Sequence, residues 1–263
     1  MTTLDYSKLD QGENAQSSFY PRRNWTATPP GAQDHTIQVD ESVSLSCRFF
    51  RAGSEAAGVA DPTILFFYGN GETAPDYDDI APIYNQIGVN FFVADYRGYG
   101  RSGGSPAFST MLSDAVKVLE SLKDILREAG ISGKLFVMGR SMGRHAAFEL
   151  AAGRDKDNGI AGVIIESGRP TLGQFTNGLE SQEAEGFQAA YREKVSSITI
   201  PVLVIHGEVD SLAPVAEAQA MYQGIRSNDK RLLTIPGAGH NDLLHRGIDE
   251  YFTAVRDFCH PSG

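Results

Sequence analysis

"LFVMGRSMGRHAAFELA" (residues 135–151) sets Ser141 between two glycines, behind an apolar run and ahead of an alanine-rich one. The first run reads as a buried strand and the second as a helix, which puts the serine on the turn between them. Alone, G-x-S-x-G is short enough to arise in any glycine-rich loop. Whether Ser141 is a nucleophile on a strand-to-helix turn or an ordinary loop hydroxyl is decided by the rest of the chain.

Outward from that stretch, short apolar runs alternate with helical patterns. "TILFFYG" (63–69), "NFFVADY" (90–96), "KLFVMGR" (134–140), "GVIIES" (162–167), "PVLVIHG" (201–207) and "RLLTIPG" (231–237) are nearly continuous in apolar residues. Strands buried on both faces of a parallel sheet have this character. Between them, Met111, Ala115, Val116, Leu119, Leu122 and Leu126 recur at three- and four-residue steps, as do Leu244, Ile248, Phe252, Val255 and Phe258 in the last segment. That spacing predicts amphipathic helices. "HTIQVDESVSLSCRFFRAG" (35–53) reads as two strands around a tight polar turn. The alternation implies a doubly wound α/β domain from residue 35 to 263, opened by an antiparallel hairpin. The start, "MTTLDYSKLDQGENAQSS" (1–18), is polar and acidic, and residues 1–34 are expected to form a loose or partly disordered N-terminal arm. A longer connection at about 170–199, with Phe187, Tyr191 and Val195 at four-residue steps, predicts a small lid carrying one helix.

The 263 residues are 41% hydrophobic and 21% charged, the usual make-up of a soluble globular chain. A formal charge of −10 argues against nucleic acid or an anionic membrane as the main partner. No apolar run approaches the roughly 20 residues of a membrane span, and the start lacks the basic and apolar regions of a signal peptide. Cys47 and Cys259 are expected as reduced thiols in a cytoplasmic protein. No Cys/His cluster has metal-ligand spacing, so neither a metal nor a cofactor is expected.

A serine needs a base to take its proton, and the base a carboxylate to orient it. In open α/β sheets such groups gather at the C-terminal ends of strands. Asp210 follows the strand in "VLVIHGEVD", and His240 lies in the glycine-rich loop after "LLTIPG". The chain order Ser141, Asp210, His240 is the one this architecture uses. The backbone N–H of Met142, next to Ser141, and that of Asn70, in the loop "FFYGNGET", are the expected oxyanion donors.

"FYGNGE" (67–72), "ADYRGYGRSGGSP" (94–106), "GRSMG" (139–143), "HGEVD" (206–210) and "GAGH" (237–240) together resemble the α/β-hydrolase superfamily. In pattern the chain is similar to serine esterases of the Bem46-like and monoacylglycerol-lipase-like type. The resemblance runs from about residue 35 to the end. It implies the α/β-hydrolase fold, a mostly parallel eight-stranded sheet with helices on both faces and a small lid. It also implies a carboxylic ester hydrolase with a small-molecule ester or acyl substrate. Ser141 would be nucleophile, Asp210 acid, His240 base, and Asn70 and Met142 oxyanion donors. Thioester cleavage, as in protein depalmitoylases, uses the same groups, and a non-catalytic ligand-binding member of the fold is the alternative from another class.

Other residues have defined expectations. Glu166 also ends a strand and is the alternative acid. His206 is expected to be structural, and His145 a helix-face residue near the site. Asp95 and Arg97 should tie down the loop "DYRGYGRSGG". Tyr68 stands where the family usually has histidine, and Arg144 and His145 stand where small residues are expected behind the elbow. The aromatics Phe175, Phe187 and Tyr191 belong to lid packing or to the substrate wall.

Overall fold

Eight strands form one sheet in the computed structural model, which describes residues 5–11, 17–53, 60–153 and 158–261. The strands are β1 (Ala32–Gln38), β2 (Ser44–Phe50), β3 (Thr63–Phe67), β4 (Asn90–Ala94), β5 (Leu135–Arg140), β6 (Ile160–Glu166), β7 (Val202–Gly207) and β8 (Lys230–Ile235). Their order across the sheet is β1-β2-β4-β3-β5-β6-β7-β8. β1 and β2 pair antiparallel, β2 joins β4 antiparallel, and the remaining pairings are parallel. β1 begins at Ala32 rather than at His35.

Every residue of β3, β4 and β7 is buried, as unbroken apolar runs require. β8 departs from that expectation. It is an edge strand, and only its last residue, Ile235, is buried. Helices α1 (Ala81–Gln86), α2 (Phe108–Glu128), α3 (Arg144–Ala151), α4 (Ser181–Ser196), α5 (Val215–Gly224) and α6 (Leu243–Cys259) connect and cover the strands. Among the described residues no helix is long and apolar enough to cross a membrane.

Two features position the site. First, the chain moves from β3 to β4 on one side and then to β5 on the other. The loops after β3 and β5 therefore diverge, which opens a crevice beyond the strand ends. Second, the segment between β6 and β7 holds α4 and a short 3₁₀ turn (Gly173–Thr176), whose Gln174 and Phe175 line the cavity at those same ends.

The arm is not loose over its described residues 5–11 and 17–31. Leu9 and Phe19 are buried, and the Phe19 ring lies 5.2 Å from that of Phe175. With Tyr6, whose ring lies 5.4 Å from that of Phe108, and the half-buried Trp25, they supply the burial that holds it down. Positions 1–4 and 12–16 of the arm lie outside the described residues.

Candidate active site

Ser141 has φ +50°, one of two non-glycine residues with positive φ among those described. That conformation costs a β-carbon-bearing residue about 1–3 kcal/mol and holds only where surrounding packing enforces it. The flanking glycines make such packing possible. A Cβ on Gly139 would lie 2.5 Å from the Gly143 carbonyl oxygen. One on Gly143 would lie 2.5 Å from the Phe67 carbonyl carbon and closer still to its oxygen. The start of α3 is thereby pressed against the ends of β5 and β3, with the serine at the tip.

Its hydroxyl meets His240 Nε2 at 2.8 Å, and His240 Nδ1 meets Asp210 Oδ2 at 2.7 Å. Asp210 Oδ1 accepts the N–H groups of Leu212 and Ala213, at 2.9 and 2.8 Å. Burial pushes the Asp210 carboxyl up, but its bond to His240 and these amides outweigh burial and leave its pKa below the ordinary carboxylate value. His206 Nε2 donates to the Ala213 carbonyl at 2.7 Å and stands 3.5 Å from Asp210 Oδ2, so it braces the Asp210 loop. Glu166 does not bond His240; among the described residues the carboxylate that does is Asp210.

A cavity of about 620 Å³ opens above the serine, lined by Asn70, Ser141, Met142 and His240 among others. The Asn70 side chain is held at both its oxygen and its nitrogen. Its Oδ1 accepts from Tyr20 N–H (2.9 Å) and Tyr99 Oη (2.6 Å), and its Nδ2 donates to the Ser18 carbonyl (2.8 Å). The arm thus fixes the loop after β3. Met142 follows Ser141 in a 3₁₀ turn that leads into α3, where partial positive charge gathers.

Tyr68 is buried, and its hydroxyl donates to Asp95 Oδ1 at 2.8 Å while its carbonyl accepts from Tyr96 Oη at 2.7 Å. Asp95 also accepts the Ala74 N–H, at 2.9 Å, so it anchors the loop after β3 as well as its own. Arg97 ties down the β4 loop separately, through Asp114 and Asp40.

One group escaped the sequence reading. Arg140, next to Ser141, bonds Glu72, pairs with Glu166 Oε1 at 3.0 Å and donates to Asn241 Oδ1 at 2.8 Å and the His240 carbonyl at 3.3 Å. Glu72 in turn accepts the Gly69 N–H at 2.7 Å. Burial works against the Arg140 charge, and Glu166 and Glu72 outweigh it, so the guanidinium pKa is raised. This arginine joins the elbow, the loop after β3 and the His240 loop. The alternative acid, Glu166, is held by it and by Tyr251 Oη at 2.7 Å.

Arg144 and His145 are also accounted for. Arg144 is buried and donates to three carbonyls, those of Arg169 (3.0 Å), Ser141 (2.7 Å) and Thr171 (2.8 Å). His145 Nδ1 meets Tyr191 Oη at 2.6 Å, which joins α3 to α4. Phe187 and Tyr191 are packing residues, whereas Phe175 also lines the cavity.

Residues 58–174 and 173–245 match the family described as serine aminopeptidase, S33. The chain belongs to this family of α/β-hydrolases. The S33 hydrolase is 28% identical over 205 residues to protein bem46 of Schizosaccharomyces pombe, covering 75% of this chain and 67% of that one. It is 29% identical over 220 residues to human alpha/beta hydrolase domain-containing protein 17B, covering 81% and 70%. The fold of the hydrolase is that of the Pyrococcus furiosus esterase Pf2001, with TM-score 0.70 and 21% identity over 90% of this chain and 95% of that one.

Proposed function

We propose that this hydrolase cleaves carboxylic esters through an acyl-enzyme. The supporting observation is the continuous relay from Ser141 Oγ through His240 to Asp210, with links of 2.8 and 2.7 Å, on the wall of a cavity that admits a small molecule. Ser141 Oγ attacks the ester carbonyl as His240 Nε2 takes the hydroxyl proton. The N–H groups of Asn70 and Met142 receive the developing oxyanion. His240 returns the proton to the leaving oxygen, the ester C–O bond breaks, and the alcohol departs. Water, deprotonated by the same imidazole, then attacks the acyl-serine, releases the acid and restores Ser141. Asp210 stays ionised throughout and holds the ring.

The family's description names an aminopeptidase, but this cavity suits that chemistry poorly. Among the described residues Glu72 is its only lining carboxylate, and Arg140, Gly69 N–H and the Tyr77 hydroxyl already occupy it. Among the described residues no carboxylate that lines the cavity is left free to receive a peptide amino terminus. The two buried free thiols, Cys47 and Cys259, fit a cytoplasmic enzyme.

The test is turnover of 4-nitrophenyl esters from acetate to octanoate. Wild type should hydrolyse some member of the series, and Ser141→Ala should lose about 10³-fold or more in kcat. Equal rates for the two proteins would contradict the assignment.

A further inference from the structure

Three arginines, Arg140, Arg144 and Arg169, line the cavity that holds Ser141, in a chain of net charge −10. They are not equivalent. Arg140 is matched by Glu72 and Glu166. Arg144 has no carboxylate partner among the described residues; its bonds go to carbonyl oxygens, which orient a guanidinium without neutralising it. Burial and the nearby Arg169 charge push its pKa down to about 10, opposite to the shift at Arg140.

Arg169 is also poorly matched. Its Nη1 stands 3.9 Å from Glu217 Oε1, beyond hydrogen-bond length, and this is its only ion-pair contact among the described residues. Its side chain remains 27% exposed, toward the cavity and its mouth. Beside it, Ser167 follows β6 at φ +49°, the second strained non-glycine residue among those described, and lines the cavity as Ser141 does just after β5. Local strain kept at a cavity wall is characteristic of a ligand site. The Arg144 Nη1 bond to the Ser141 carbonyl puts this excess positive charge beside the reacting serine.

We propose that the ester cleaved at Ser141 carries a carboxylate of its own, received by Arg169 with Arg144 behind it. This rests on the serine-hydrolase reading above and narrows its substrate class. A guanidinium and a carboxylate form a charge-assisted, two-pronged contact, and a buried cation lacking a protein counter-ion gains most from one. Because Arg144 donates to the backbone carbonyls of both Ser141 and Arg169, the two residues face one end of the cavity, and the spacer between carboxylate and scissile carbonyl is short, as in a half-ester of a small dicarboxylic acid. Hydrolysis adds water across the ester bond and yields the dicarboxylate, the alcohol and one proton.

Ethyl hydrogen glutarate and ethyl valerate share an acyl chain length and differ in the terminal carboxylate, so the ratio of their kcat/KM values reads the contact. Wild type should favour the glutarate by about tenfold, less at high salt. Arg169→Gln should bring the ratio close to one, chiefly through KM for the glutarate, and Arg169→Lys should retain part of the preference. A wild-type ratio at or below one, or a ratio unmoved by Arg169→Gln, overturns the subsite. Turnover of ethyl valerate in either case leaves the role of Ser141 intact. Absence of turnover on both esters, with no phosphonate labelling of Ser141, overturns both readings.

Discussion

Ser141 holds a left-handed backbone conformation because two residues without side chains let β5, α3 and β3 close around it. Gly143→Ala is therefore expected to destabilise the fold by about 2 kcal/mol or more, since the added carbon meets backbone rather than a movable side chain. A urea midpoint equal to that of wild type would contradict this. At this scale the hydrogen-bonded line from Ser141 through His240 to Asp210 was legible, because each of the three residues follows an apolar run that forms a strand. The Arg140 cluster was not legible. Its carboxylate partners lie 68 residues before it and 26 after it, and nothing in the local pattern links them until strand order is known.

Between elements, the join that matters is α3 to α4. Here His145 meets Tyr191 Oη, its Nε2 is buried with no hydrogen-bond partner among the described residues, and the Phe108 and Phe175 rings pack edge-on against it. Burial, then the charges of Arg144, Arg169 and Lys194, hold its pKa well below the ordinary 6.5. In the unfolded chain the imidazole takes a proton near pH 6.5, whereas in the fold it stays neutral. The unfolded state thus binds more protons below that pH, and the contribution of His145, whole above it, is lost as pH falls. Paired His145→Phe and Tyr191→Phe substitutions remove both polar partners. The drop in melting temperature between about pH 7.5 and pH 5 should shrink in that variant relative to wild type. An equal drop would show that this contact carries none of the acid sensitivity. Apolar spacing revealed a helix here, but not what its tyrosine touches, because a helical period fixes a face and not its partner.

Across the whole molecule, the sheet gathers residues 70, 141, 210 and 240 from the ends of β3, β5, β7 and β8 into one place. Chain alternation and the order Ser, Asp, His were enough to foresee that gathering. The arm was not foreseeable. Leu9 and Phe19 fall in no helical or strand period, and only the finished domain offers the surfaces that bury them. Charge was equally misleading taken as a total, since a strongly acidic chain surrounds a cavity whose unmatched charges are arginines. The proposed reaction depends on a single atom, Ser141 Oγ, acting as the nucleophile. The direct measurement is to treat the protein with a fluorophosphonate and map the adduct by peptide mass spectrometry. One phosphonyl group on Ser141, absent from Ser141→Ala and strongly slowed in His240→Gln, is the expected result. No adduct, or one that persists on another residue when Ser141 is alanine, would contradict it.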